Sequence, residues 1–306
     1  MSRPLKVGVQ LPEVERVVRW PELLSMARRI EDVGYDAVWV GDHLLYRWSG
    51  VAEARGPWEC WTMLAAIAAA TNRIELGPLV ASTSFHAPAM LAKQAATVDE
   101  ISGGRLVLGL GAGWNQTEYE AFGFPFDHRI SRFEEAFTII RTLLREGSID
   151  FDGVYYQARD CELQPRPARP GGPPLLLGSN GERMLRIAAP HINAWNAWYN
   201  ATGNSPAGIA PLREQVDAAA RAAGRDPAEV ERTVAVLVRL PGGIGRLMGD
   251  DTMNEISALT GSPEEMAEEL RAYARAGIGA VQLVLDPITL GSIEAFGSVL
   301  ELLDRD

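Results

Sequence analysis

The sequence predicts an α/β protein, a (β/α)8 barrel of the TIM-barrel architecture with inserted loops at its C-terminal face. Two observations carry that reading. Short β-rich runs alternate with longer helical patterns eight times from one end of the chain to the other, and no shift in composition interrupts them. The fourth strand-like run, Leu106–Leu110, is apolar in sequence on both faces, as a strand buried on both sides should be. A barrel of about 250 residues with added loops accommodates the 306 residues. A density of roughly 150 residues per domain would instead suggest two domains. The unbroken repeat favours a single domain over residues 1–306.

Taken in order, Leu5–Val9 reads as the first strand and Pro21–Val33 as its helix, with Pro in the first turn and Gly34 as the stop. Ala37–Val40 and Trp58–Ala70 form the second pair, and Ile74–Val80 and Pro88–Ile101 the third, closed by Gly103-Gly104. Leu106–Leu110 is the fourth strand, and Arg132–Arg145 its helix, with Phe133, Phe137 and Ile140 on one stripe. After a polar, Pro-rich stretch come Leu175–Leu177 with Glu182–Ala189, and Ile192–Trp195 with Pro211–Ala223. Thr233–Leu237 with Pro263–Ala276, then Ala280–Leu285 with Ser292–Leu303, complete the eight pairs. Three breaks are longer. Asn115–Ile130 and Pro241–Gly261 follow strands and belong at the catalytic mouth. Gly147–Pro173 follows a helix, holds a candidate hairpin at Asp150–Tyr156, and suits a structural or dimer role.

Apolar residues make up 47% of the chain, enough for a full core and against global disorder. The net charge of −11 argues against nucleic acid or an anionic membrane as partner. Lys6 and Lys93 are the only lysines, which leaves Schiff-base chemistry almost no candidates. Cys60 and Cys161 form no CxxC, as suits a reducing compartment without structural zinc. The opening residues lack a signal-peptide core, and no apolar run reaches the roughly 18 residues of a membrane span. A cytoplasmic, soluble chain is expected.

Several chemistries lack their motif. There is no GxSxG nucleophile elbow, GxxxxGK[ST] loop or HExxH, and His43, His86, His128 and His191 show no metal-ligand spacing. Gly109-Leu-Gly111-Ala-Gly113 has neither the third glycine nor the distant acidic residue of a dinucleotide loop, so close backbone approach explains it better. A metal-free hydrolase with paired carboxylates is the remaining pattern-level alternative.

In a barrel the site lies just past the C-terminal strand ends. Those positions carry Gly41-Asp42-His43 with Trp48, Ala81-Ser82-Thr83-Ser84 with His86, Gly111-Ala112-Gly113-Trp114-Asn115, Gly178-Ser179-Asn180-Gly181, and Trp195-Asn196-Ala197-Trp198-Tyr199. The mouth reads as aromatic, rich in small residues and nearly free of charge apart from Asp42, a site for a flat aromatic ring. Gly178–Gly181 leads into a helix and serves equally as an anion site or as a simple N-cap.

The chain resembles the bacterial luciferase-like monooxygenase superfamily over essentially its whole length. The likeness lies in Gly34-Tyr-Asp-Ala-Val-Trp-Val-Gly-Asp-His43, Leu91-Ala-Lys-Gln-Ala-Ala-Thr-Val-Asp-Glu-Ile-Ser-Gly-Gly-Arg105 and Leu108-Gly-Leu-Gly-Ala-Gly-Trp-Asn115. It continues in Phe122-Gly-Phe-Pro-Phe126, Arg132-Phe-Glu-Glu135, Gly261-Ser-Pro-Glu-Glu265 and Ala276-Gly-Ile-Gly-Ala-Val-Gln282. The resemblance implies an oxidoreductase using coenzyme F420 or, alternatively, FMN. Asp-His at positions 42 and 43 suits the deazaflavin, where flavin monooxygenases often show Glu-His. It further implies His43 at the redox carbon and Asp42 on the cofactor, a cis peptide at Leu79–Val80 behind the ring, and Ser82 and Asn115 on the ring or polyol. Gly178, Ser179, Asn180 and Gly181 would hold the phosphate, and Arg183 and Arg186 would screen it or lie on a plain helix face. Some sugar-phosphate dehydrogenases of the family have a catalytic glutamate where this chain has Trp114, which speaks against such a substrate. A hydrophobic substrate among Trp48, Trp58, Trp114 and Trp198 is the expectation, although any of these tryptophans can equally be packing. The alternatives are an FMN-dependent monooxygenase fed by a separate reductase, and a non-catalytic flavin-binding protein. By likeness the chain is expected to be a homodimer.

Overall fold

The structure, a computed structural model, describes residues 3–47, 53–167, 169–244 and 256–305. Trp48 and residues 245–255 of the expected Pro241–Gly261 mouth loop lie outside the described residues. The barrel strands are β1 (Lys6–Gln10), β2 (Ala37–Val40), β3 (Glu75–Pro78), β4 (Ala81–Ser82) and β5 (Leu108–Gly111). A hairpin, β6 (Ser148–Asp152) and β7 (Gln157–Glu162), follows, and β8 (Leu175–Leu177), β9 (Ala194–Ala197), β10 (Glu231–Arg239) and β11 (Ala280–Asp286) complete the ring.

All barrel pairings are parallel, in the order β3-β2-β1-β11-β10-β9-β8-β5-β4. The sheet closes because β3 and β4 are two halves of one strand. Leu76 in β3 bridges Leu106 just before β5, while Ala81 and Ser82 in β4 pair with Leu110 and Gly111. Eight staves result. The sequence predicts a continuous third strand through Val80; the structure breaks it after Pro78, where the Leu79–Val80 peptide is cis, as the resemblance implied.

The helices are α1 (Trp20–Val33), α2 (Cys60–Ala70), α3 (Pro88–Ser102), α4 (Gln116–Phe122), α5 (Arg129–Arg145), α6 (Glu182–Ala188), α7 (Ile209–Ala222), α8 (Pro263–Arg275), α9 (Leu290–Ala295) and α10 (Gly297–Leu303). In α1, Leu23, Met26, Ala27 and Ile30 fall at helical spacing and are buried against the barrel. Gly34 then ends the helix with a left-handed φ of 100°, a conformation that costs a residue with a Cβ. Ser262 and Glu265 make a capping box on α8, which fixes where that helix begins. The expected last helix, Ser292–Leu303, is two short ones meeting at the buried Phe296, whose ring stacks on Tyr35. Among the described residues no helix is long and apolar enough to cross a membrane.

Two features position the mouth. Inside the ring, Trp39 spreads over Gly8 and Gly77; a methyl added at Gly8 would lie 2.6 Å from Trp39 Nε1. With Ala37, Leu79, Leu176 and Ala194 it forms a small apolar cluster on which the mouth residues Val80 and Trp198 pack. The hairpin is wider than the Asp150–Tyr156 expected from sequence. Its turn is held from below by Glu135 of α5, whose carboxylate accepts from the Val154, Tyr155 and Tyr156 amides at 2.8, 2.9 and 3.0 Å.

Candidate active site

The strand ends enclose a cavity of about 710 Å³. Gln10 and Glu13 reach it from β1 and the loop beyond, Asp42 and His43 from the end of β2, and Leu79, Val80 and Ser82 from the split third strand. Gly111–Asn115, Gly178–Asn180, Asn196 and Trp198 close the wall from the later strands. Three glycines shape that wall. A methyl added at Gly109, Gly111 or Gly178 would lie 2.8 Å from a methyl carbon of Val80, so the side chain after the cis bond occupies space that only missing Cβ atoms leave. Close approach thus explains the glycine run.

His43 is the centre of the polar part. Its Nδ1 lies 2.8 Å from Glu118 Oε1 and its Nε2 3.7 Å from Glu13 Oε1. Glu118 projects from the first turn of α4 and is 1% exposed; its second oxygen accepts from the Leu44 and Leu45 amides at 2.8 and 3.3 Å. Glu13 is 5% exposed and accepts from Gln10 Nε2 at 3.1 Å and from the Tyr46 hydroxyl at 3.3 Å. Burial alone would push the His43 imidazole down. The charge of Glu13, the hydrogen bond and charge of Glu118, and the charge of Asp42 outweigh it and hold the imidazole above its ordinary value.

Asp42, also buried, turns the other way. Its Oδ2 accepts from the Ser82 amide at 2.9 Å and lies 2.9 Å from His86 Nε2, so Asp42 ties the β2 end to β4. His86 is therefore the partner of Asp42. Ser82 Oγ lies 2.7 Å from the Tyr119 hydroxyl, which in turn donates to the Ala112 carbonyl at 2.8 Å. Asn115 donates from Nδ2 to the Leu45 carbonyl at 2.9 Å. On the far wall, Asn196 donates from Nδ2 to Thr233 Oγ1 and Gln282 Oε1 at 2.8 and 2.6 Å.

Several expectations need correction. The mouth is not nearly free of charge: Glu13, Glu118 and Arg47 line it with Asp42. Trp114 leaves no acid at its own position, yet acids enter from these other positions. Trp114 lines the cavity at 56% exposure, its ring 5.8 Å from that of His43, and Trp198 lines it as well. Trp58 does not; it borders a separate cavity of about 180 Å³, donates from Nε1 to the Val18 carbonyl at 2.7 Å and sits beneath Arg19. Gly178, Ser179 and Asn180 line the large cavity, but Gly181 is exposed, acts as N-cap residue of α6, and directs its amide at Ser179 Oγ, 3.2 Å away. Arg183 turns to Glu134 and Ser131 on α5 at 2.9 and 3.0 Å. Glu13 and Glu118 are the residues that sequence reasoning missed. Glu13 lies three residues past the first strand, at a strand end like the others, and reading that end as they were read would have found it. Glu118 sits one helical turn after Asn115, in α4, within the stretch Asn115–Ile130 that the sequence predicts as a loop.

A ligand-sized cavity at the C-terminal mouth of an eight-stranded barrel, with an imidazole held between two carboxylates on its rim, defines a barrel enzyme. The chain belongs to the luciferase-like monooxygenase family, which it matches over residues 6–240. It is 28% identical to the 5,10-methylenetetrahydromethanopterin reductase of Archaeoglobus fulgidus, over 90% of this chain and 92% of that one. It is 35% identical to pyrimidine monooxygenase RutA of Cronobacter sakazakii over 173 residues, 55% of this chain and 50% of that one, so the match spans half the length of that relative. The fold is shared with an F420-dependent secondary alcohol dehydrogenase solved with an F420–acetone adduct, at a TM-score of 0.82 and 22% identity, covering 99% of each chain. The chain is accordingly a luciferase-like oxidoreductase or monooxygenase.

Proposed function

We propose that the chain is a coenzyme F420-dependent oxidoreductase that moves a hydride between the deazaflavin and a small, hydrophobic organic substrate. The observation that carries this reading is the Asp42-His43 pair at the end of β2, with the imidazole on the rim of a cavity of about 710 Å³. The residues suit a flat redox ring with a polar tail. Gly111 and Gly178 thin the wall around Val80. Asn180 Oδ1 and Gln10 Oε1, both on residues lining the cavity, are buried side-chain atoms without a protein partner. By the family likeness Asp42, Leu79, Val80, Ser82 and Asn115 would hold the ring and polyol, and the Gly178–Gly181 turn the phosphate, with Ser179 and Asn180 nearest the cavity.

When bound, the deazaflavin supplies or accepts the hydride; the protein's task is the accompanying proton. Histidine is the side chain that titrates nearest neutrality, and the flanking carboxylates favour its charged form. His43 then delivers a proton from Nε2 to a substrate oxygen as hydride arrives, and takes it back in the opposite direction. Trp114 and Trp198 offer apolar faces for the substrate. The likeness to the methylenetetrahydromethanopterin reductase over nine-tenths of the chain supports this reading. The likeness to RutA favours a second reading, an FMN-dependent monooxygenase supplied with reduced flavin by a separate reductase.

Spectra of the purified chain incubated with each cofactor test the choice. Saturable deazaflavin binding with hydride exchange into a ketone or alcohol panel is the expected result. Binding of FMN alone, with oxygen consumption once a reductase is added, would overturn it.

A further inference from the structure

Two buried carboxylates approach His43, and they are held differently. Glu13 shares its oxygens with Gln10 and Tyr46 and stands 3.7 Å from Nε2, beyond hydrogen-bond range. Glu118 meets Nδ1 directly at 2.8 Å. Its other oxygen takes two backbone N–H groups, which can only donate. The two amides hold Oε2 as an acceptor, and a carboxylate oxygen at Oε1 calls for a donor opposite it, which puts the proton on Nδ1. Nε2 is then the nitrogen left for the cavity.

We propose that Glu118 is the positioning residue for His43: it locks the Nδ1–H tautomer and aims Nε2 at the substrate. This rests on the reading of His43 as the proton carrier. The logic is that of a histidine oriented by a carboxylate on its far nitrogen. It also explains why α4 begins where it does. The helix starts directly after Asn115, whose side chain is bonded to the Leu45 carbonyl, so Asn115 and Glu118 together clamp the segment that carries His43. The charged and titratable groups around the ring come from every neighbouring element: Glu13 after β1, Asp42 on the β2 end, Tyr46 and Arg47 in the following loop, and Glu118 on α4.

The test uses ¹⁵N and ¹H resonances of the His43 ring in the cofactor-free chain, so that it does not depend on turnover. In the wild type above the titration midpoint, the neutral ring should carry its proton on Nδ1, the minority form of free histidine. Glu118→Gln retains an oxygen acceptor for the Leu44 amide but loses the charge; the midpoint should fall and the tautomer lock should be lost. Glu118→Asp, which keeps the charge, should restore part of both. With the substrate found, Glu118→Gln should lower kcat by about 10- to 100-fold, with KM within about threefold. A wild-type ring protonated on Nε2, or an unchanged midpoint and tautomer in folded Glu118→Gln, would overturn the proposal; the wild-type spectrum decides even if the variant does not fold. Expected ring shifts in a chain that ignores the deazaflavin would leave Glu118 in this role and remove the hydride-transfer reading instead.

Discussion

The imidazole of His43 experiences opposing effects of similar kind, and their balance decides what it can do. Burial disfavours its charge, while Glu13, Glu118 and Asp42 favour it, and the carboxylates win. An acid with a raised pKa remains protonated into the range where a free histidine has begun to lose its proton. For the direction in which His43 donates, kcat/KM should therefore fall as pH rises through that raised value, and a pH–rate profile checks it. In Glu13→Gln the falling limb should move to lower pH. His43→Ala should reduce turnover at least about 100-fold with cofactor affinity within a few-fold, since proton transfer by a placed side chain contributes roughly that much. Equal turnover would remove His43 from the chemistry. Asp42 and His43 were legible in the sequence because they follow a recognisable strand. Glu118 was not, because its partner is 75 residues away and only the packing of α4 over the β2 loop brings them together. The direction in which Asp42 faces was equally hidden, since it depends on Ser82 and His86 across the neighbouring strand.

At the level of elements, the wall around Val80 is the sharpest test of packing. Gly178→Ala would bring a methyl to 2.8 Å from both Val80 methyl carbons, and β8 has no room to retreat between β5 and β9. Overpacking of this kind costs about 1–3 kcal/mol. Denaturant unfolding should show the loss in Gly178→Ala and its recovery in Gly178→Ala with Val80→Ala; equal loss in both would mean that Val80 is not the obstruction. The hairpin supplies an independent case. Glu135→Ala should speed amide exchange at Val154–Tyr156, where three N–H groups lose their acceptor, while leaving exchange in β10 and β11 unchanged. Strand and helix order was readable because parallel buried strands are apolar on consecutive residues and amphipathic helices repeat at 3.6. The cis bond at Leu79–Val80 was supplied by likeness alone, although Gly77-Pro78 within Ile74–Val80 carries a strand-breaking signal. The break at Phe296 was missed because Ser292–Leu303 keeps a helical apolar stripe straight through it.

On the scale of the whole molecule, two histidines pull acid stability in opposite directions. Burial, with Arg141, Arg145 and Arg225 nearby, pushes the His191 imidazole down to about 4. The unfolded chain protonates there first, near the ordinary histidine value of about 6.5, so the native state loses stability as pH falls from about 6.5 to about 4. His43 works the other way: its raised value stabilises the native state at low pH, and that contribution disappears as pH rises through it. His191→Gln should flatten the loss of stability across that acid window, measured by denaturant midpoints at several pH values; an unchanged slope would mean that folding does not depress His191. The closed ring itself follows from the eight strand–helix pairs, and what the sequence could not reveal is which side chains fill it. Trp39 packs over Gly8 and Gly77, and its cluster reaches Leu79, which lines the mouth cavity.

That open volume is the ground for a deazaflavin site, and equilibrium binding tests it most directly. Oxidised coenzyme F420 and FMN would be titrated separately into the wild type and into Gly178→Val, which fills the mouth wall. Saturable binding of F420 at one per chain, stronger than FMN and weakened at least tenfold in the variant, is the expected result. Tight FMN binding with no F420 binding, or F420 binding indifferent to Gly178→Val, would contradict it.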